Sequence, residues 1–257
     1  MKVLKNTKLN FIPVIKMPVD DLTDLPYIPA SPLPAKSFAL YIVGSPGSGK
    51  TSLWNSLLLS HPTKKNKNIP RMYYRFFDHI WLISPSMNTL PLSKLKLKDD
   101  RMFMKYNDEI LEEERDSENL NNVIILDDCI RDLSKSKNLC RTILNRRHQT
   151  QNNEEDGQAG LSIIITSQKY NGLPLYLRAN ISHLMVFATK NRKELDALKS
   201  EVMSDLTPQE QNEVLDIAWR DKYGFLFIDI NKKKEDRYYQ NFNKIVFDDD
   251  DDDHDDY

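Results

Sequence analysis

The segment Gly44-Ser45-Pro46-Gly47-Ser48-Gly49-Lys50-Thr51 follows the apolar run Phe38–Val43 and precedes a helix-like stretch from Ser52 to Ser60. A strand, a glycine-rich loop and a helix in that order constrain the fold more than any other feature, because the loop must wrap tightly between a strand end and a helix start. Its glycines let backbone N–H groups turn inward around a β-phosphate, Lys50 brings an ammonium to the β and γ oxygens, and the Thr51 hydroxyl can ligate Mg²⁺. Gly44, Ser45, Pro46, Gly47, Ser48, Gly49, Lys50, Thr51 and Ser52 are the expected nucleotide contacts, with ATP and Mg²⁺ as the ligands. A glycine-rich turn that matched by chance would not bring both flanking elements with it.

Further apolar runs at Ile80–Ser84, Val123–Leu126, Leu161–Thr166 and His183–Ala188 alternate with helical or polar stretches, which predicts an α/β fold with a mainly parallel sheet and crossover helices. Residues 1–37 carry Pro13, Pro18, Pro26, Pro29, Pro32 and Pro34, which forbid a long helix and read as an extended arm, free or wrapped on a neighbour. Leu90 to Ser117 is a charged excursion with a short strand expected near Met102–Met104. Asn191–Ser204 and Pro208–Trp219 read as helices, and Phe225–Ile230 with Arg237–Phe242 as a terminal hairpin. The ATPase domain is expected over 38–247, followed by an acidic tail, 248–257, too polar to order itself.

Val123-Ile124-Ile125-Leu126-Asp127-Asp128 has the form of a Walker B strand, apolar and ending in carboxylates at the sheet edge that also holds the P-loop. Asp127 is expected to hold Mg²⁺, through water or in concert with Thr51, and Asp128 to polarise the attacking water. The strand Leu161–Thr166 leads into Ser167 and Gln168; if it neighbours both the P-loop strand and the Walker B strand, Gln168 reaches the γ-phosphate or its water. Arg146 and Arg147, on a helix before that strand, are the first choices for an arginine that stabilises the transferring phosphoryl group, within a subunit or across to a neighbour; Arg178 is the second. Contacts to DNA phosphate and plain surface positions compete for the same arginines. Tyr73, Tyr74, Phe76 and Phe77 suit core packing better than base stacking.

The formal charge is −2, but eight aspartates lie between Asp248 and Asp256, and without them residues 1–247 carry +6. A basic body favours a polyanionic partner, although a lysine-rich surface gives the same sum. Cys129 and Cys140 have no metal-ligand spacing, which suits a reducing compartment. No apolar run approaches the ~18 residues that span a bilayer, and Met1–Asn6 is not followed by the apolar region of a signal peptide, so a soluble intracellular protein with no transmembrane segment is expected.

With the P-loop, Asp127-Asp128, Arg147-His148, Thr166-Ser167-Gln168 and Arg178-Ala179-Asn180 in this order, residues 37–230 resemble the viral genome-packaging ATPases of pox- and giant viruses, in the FtsK–HerA-like branch of P-loop motors. The resemblance implies a RecA-like domain that assembles as a homo-oligomeric ring and uses ATP hydrolysis to pump double-stranded DNA into a capsid. It also implies docking on a capsid or internal-membrane vertex protein, in the host cytoplasm or viral factory or on the virion. Many FtsK–HerA relatives end Walker B in Asp-Glu, whereas this chain has Asp127-Asp128, and it shows no separate DNA-guiding domain.

Other readings fit less well. A P-loop kinase matches the size, but no arginine-rich lid is evident. A GTPase needs an Asn-Lys-x-Asp reader, which Thr189-Lys190-Asn191-Arg192 does not supply, and an ABC-type signature is missing from Glu118 to Asn122. A virion scaffold that binds ATP as a structural ligand would have no reason to keep Lys50, Thr51, Asp127 and Asp128 together.

Overall fold

The structure is a computed structural model that describes residues 25–90, 92, 97, 99–111, 121–133, 136–146 and 160–247. The start of the proline-rich arm, much of the charged excursion, Arg147, His148 and the acidic tail lie outside the described residues.

The strands are β1 (Ala39–Val43), β2 (His79–Ile83), β3 (Met102–Phe103), β4 (Asn121–Leu126), β5 (Gly160–Ser167), β6 (His183–Phe187), β7 (Phe225–Asp229), β8 (Tyr238–Gln240) and β9 (Asn243–Lys244). They join in one sheet of order β3-β2-β4-β5-β1-β6-β7-β8-β9. From β3 to β6 all pairings are parallel, and β6 through β9 pair antiparallel. Every residue of β1, β4, β5, β6 and β7 is buried, as unbroken apolar runs demand of strands covered on both faces.

Alternation along β1 divides the core. Tyr41 and Val43 face one layer with Ile124, Leu126, Ile163 and Ile165, while Leu40 and Ile42 face the other with Trp54, Leu57 and Leu58. Helix α1 (Lys50–Leu59) covers the second face. On the first face lie α2 (Ile130–Leu133), α3 (Lys137–Asn145), α4 (Leu175–Arg178), α5 (Arg192–Val202) and α6 (Pro208–Ala218). Helices thus sandwich the sheet. Truncating a fully buried side chain such as Leu57 to Ala costs about 2–5 kcal/mol.

Start signals are explicit at three helices. The Ser136 hydroxyl accepts from Leu139 N at the head of α3, and the Asn191 side chain from Lys193 N at the head of α5. At α6, Thr207 and Glu210 form a reciprocal capping box, with Pro208 in the first turn.

The described part of the arm packs on its own chain. The Tyr27 hydroxyl donates to Met72 O and Tyr74 O at 2.9 and 3.0 Å, the Tyr73 hydroxyl donates to Pro34 O at 2.7 Å, and Leu33 is buried. Tyr73, Phe76 and Phe77 are buried too, in tilted and edge-on contact with one another, with Tyr73 stacked on Phe38, so these three are core while Tyr74 is half-buried.

Candidate functional site

β1 delivers the chain at the carboxyl edge of the sheet, where Gly44 N donates to Ser167 O on β5 at 3.0 Å. The loop then closes on itself through Ser48 N to Ser45 O. Gly49 takes a φ of +107°, a conformation that a side chain would strain, and it opens α1 without any side-chain cap. The first N–H groups of the helix are thereby left facing the loop, the arrangement that receives an anion. A Cβ on Gly44 would lie 2.4 Å from Ser48 Oγ and 2.9 Å from Phe187 Cβ, so the loop seats only with glycine there.

Two observations test whether this cradle fits a triphosphate. Ser48 Oγ is buried beside Gly44 with no hydrogen-bond partner among the described residues, a polar atom of the loop open to a phosphate oxygen. The Lys50 ammonium is folded onto the carbonyl oxygens of Gly44 (2.6 Å) and Ser45 (3.2 Å), inside the turn of the loop. Burial pulls its pKa below the ordinary lysine value, against the opposing pull of Asp128 and then Asp127. Ser45, Pro46 and Ser52 are exposed, and Thr51 is half-buried one residue beyond Lys50.

Strand order brings the other groups to the same edge. β5 lies between β1 and β4, so Gln168 after β5 neighbours both the P-loop strand and the Walker B strand. Asp127, 5% exposed, receives Trp54 Nε1–H (3.2 Å) and the Thr166 hydroxyl (2.9 Å) on Oδ1 and the Ser84 hydroxyl (3.1 Å) on Oδ2. Three of the roughly four lone-pair positions of the carboxylate are occupied. The remaining capacity fits a metal-bound water better than a full direct coordination, and the Thr51 hydroxyl with Asp127 forms a donor set suited to Mg²⁺ completed by phosphate and water.

Asp128 takes a left-handed φ of +57°, its backbone N–H held by Thr166 Oγ1 at 3.0 Å. This turn points its carboxylate away from the buried environment of Asp127, and Oδ2 accepts Gln168 Nε2–H at 2.6 Å. Lys50, Asp127, Asp128 and Gln168 therefore form one constellation at the ends of β1, β4 and β5.

The arginines do not join it. Arg146 Nε donates to Ser37 O and Nη1 to Ile143 O, both at 2.6 Å, at the start of β1 and β5. That is the amino edge of the sheet, opposite the P-loop, which corrects the expectation that Arg146 acts on phosphate within its own subunit. α3 runs back against the strands and so delivers the chain to the wrong edge. Arg178 is committed to Glu201 through Nε (2.8 Å) and Nη2 (2.6 Å), with its guanidinium carbon 5.0 Å from the Tyr170 ring centroid. Glu201 raises the Arg178 pKa, and Arg178 lowers that of Glu201, as a bidentate pair requires. Arg147 lies outside the described residues.

Trp54 and Ser84 emerge as partners of Asp127 that a reading of linear motifs missed, because their contacts cross 73 and 43 residues of sequence. Phe187, Tyr223 and Phe225, which border the P-loop on its other side, were missed as well. Phe187 and Phe225 were visible only as members of apolar runs, and Tyr223 only as an aromatic residue two positions before one of them.

The family model described as Poxvirus A32 protein matches residues 29–218. No curated protein matches. Among solved structures, the genome packaging NTPase B204 from Sulfolobus turreted icosahedral virus 2 in complex with ATP-gammaS is 12% identical with a TM-score of 0.51, over 81% of this chain and 98% of that one. The same protein in complex with AMPPCP is 14% identical with a TM-score of 0.49, over 81% and 99%. The fold is a RecA-like P-loop NTPase fold with a mainly parallel central sheet. With about three quarters of its length inside the matched span, the chain belongs to the poxvirus A32 protein family.

Proposed function

We propose that this chain is an ATP-driven motor that moves double-stranded viral DNA into a capsid. The observation that carries the hydrolytic part is the 2.6 Å contact between Gln168 and Asp128, on neighbouring strand ends, beside a phosphate loop whose lysine feels both aspartates. The polyanionic substrate and the viral setting draw support from family membership, from the likeness to a genome packaging NTPase, and from the +6 charge of residues 1–247.

In this reading Lys50 transfers its hydrogen bonds from the Gly44 and Ser45 carbonyls to phosphate oxygens. Thr51 and Asp127 would hold Mg²⁺, which would neutralise charge on the phosphates. Trp54, Thr166 and Ser84 hold the Asp127 carboxylate in place. Asp128 polarises the attacking water while Gln168 orients it, and through its strand Gln168 reports the state of the γ-phosphate. A ring of copies supplies an arginine to each site from the neighbouring subunit. Arg146 and Arg178 are engaged within their own chain, so Arg147 is the proposed finger. The ring docks on a capsid or internal-membrane vertex protein in the host cytoplasm or viral factory; among the described residues no helix is long and apolar enough to cross a membrane.

The test is ATP hydrolysis by the purified chain with and without long double-stranded DNA, with Lys50→Ala as the blank. Lys50-dependent turnover stimulated by DNA is the expected result. Turnover indifferent to DNA would move the assignment toward a kinase, and absence of turnover toward a nucleotide-binding scaffold.

A further inference from the structure

The carboxyl edge of the sheet has two sides about β1. Toward β5 and β4 lie the carboxylates and Gln168; toward β6 and β7 the same loop opens on a cavity of about 410 Å³. Its walls are Gly47 and Gly49 of the loop, the Ser52–Ser56 face of α1, and the aromatic residues Phe187, Tyr223 and Phe225. That size falls in the range of roughly 300–1,000 Å³ that small-molecule sites occupy. The cavity is continuous with the phosphate cradle: an added Cβ on Gly49 would lie 3.8 Å from the Phe187 ring and 3.9 Å from Tyr223 Cδ1.

Tyr223 is built for exposure. The residue is 58% exposed although large and aromatic, its φ is +68°, and the following Gly224 is clamped so tightly that a Cβ there would meet Ala218 O at 2.7 Å. A tyrosine in the left-handed region is uncommon, and such outliers collect where a side chain is aimed for function. Lys222 Nζ sits 5.1 Å from the ring centroid, a cation at the same turn. Phe187, by contrast, is buried and fixed against Phe225, with ring centroids 5.6 Å apart.

We infer that this cavity is the base pocket of the nucleotide site, that Tyr223 is its stacking platform, and that it accepts either purine nucleoside triphosphate. The inference rests on the P-loop reading above and deepens it. A triphosphate whose γ end faces Asp128 and Gln168 must run across Gly47 and Gly49 and leave its nucleoside toward β6 and β7, where the aromatic walls are. Stacking on an aromatic face is tolerant of base identity. Besides the Tyr223 hydroxyl, the polar side chains lining the cavity are Ser52 and Ser56, one turn apart on α1. A hydroxyl both donates and accepts, so it satisfies the amino group of adenine and the carbonyl of guanine alike.

The experiment is calorimetric titration of the full chain, in Mg²⁺, with ATP, GTP, CTP and inorganic tripolyphosphate, on wild type, Tyr223→Asn, Tyr223→Phe and Lys50→Ala. Asparagine tolerates the left-handed backbone, so Tyr223→Asn removes the ring without forcing the turn, and a thermal melt checks that it folds. Wild type should bind ATP and GTP within a few-fold of each other, CTP more weakly, and tripolyphosphate weakest. Tyr223→Asn should lose about tenfold for both purine nucleotides and nothing for tripolyphosphate, with Tyr223→Phe close to wild type. ATP affinity unchanged in Tyr223→Asn, or a guanine nucleotide bound more than tenfold more weakly than ATP, would overturn the pocket while leaving the P-loop reading intact. If neither ATP nor tripolyphosphate bound in a Lys50-dependent way, the P-loop reading would fail and the pocket with it.

Discussion

The two sides of the carboxyl edge use opposite chemistry. On the β4–β5 side, short polar groups satisfy one another: Asp127 takes three donors, and Asp128 and Gln168 pair. On the β6–β7 side, rings line a cavity bordered by two exposed serines. Asp128 and Tyr223, one on each side, both sit on left-handed backbone, so each side aims one side chain at the loop by the same local device. The lesson is a division of labour about one strand. Under the proposed function, the polar side meets a charge that changes during reaction, and the aromatic side a group that does not react.

Lys50→Ala should erase both sides at once, since all binding passes through the loop. Loss of a buried charge-assisted contact predicts at least a 30-fold fall in ATP affinity by calorimetry, with no measurable turnover. Asp128→Asn should break only the polar side, lowering turnover by about 10²–10⁴-fold while ATP affinity stays at the wild-type value; a matching loss of affinity would mean that Asp128 binds rather than catalyses. Trp54→Phe sharpens the contrast further. It removes one N–H from Asp127 and should destabilise the fold by about 1–2 kcal/mol, seen as a melting shift of a few degrees, with turnover falling more than base selectivity.

The smallest effect lies away from both sides. Thr207→Ala removes the cap of α6 and should cost about 1 kcal/mol while leaving nucleotide affinity unchanged. In the same box, the hydrogen bond from Lys234, then that from Thr207, lowers the Glu210 pKa from 4.5 to about 2. A depressed carboxyl pKa stabilises the fold above the ordinary value, and the contribution disappears as pH falls through the folded one. Glu210→Gln should therefore flatten the acid limb of the stability profile between about 4.5 and about 2, read from melting temperatures against pH.

Much of the polar side was legible in the chain. Phe38–Val43, Val123–Leu126 and Leu161–Thr166 are unbroken apolar runs ending in polar groups, and such strands meet at one edge of a parallel sheet. The aromatic side was not, because Phe187 and Tyr223 come from two elements separated by two helices, and only antiparallel pairing of β7 on β6 returns the second to the loop. Both Tyr223 and Phe225 also lie beyond the span that the family model matches. Arg146 shows the converse. Its neighbourhood in sequence was read correctly as a helix before a strand, yet a helix that precedes a parallel strand ends at the amino edge, far from the chemistry. Arg178 looked available in sequence because Glu201 is 23 residues away.

The position of Lys50 has a further meaning for turnover. With its ammonium on the Gly44 and Ser45 carbonyls, the loop carries its own plug, and its curvature is propped from inside. Nucleotide entry is then a replacement in which one cation changes partners, and product departure hands the cation back. A loop that rests in the shape it works in does not have to be rebuilt between cycles.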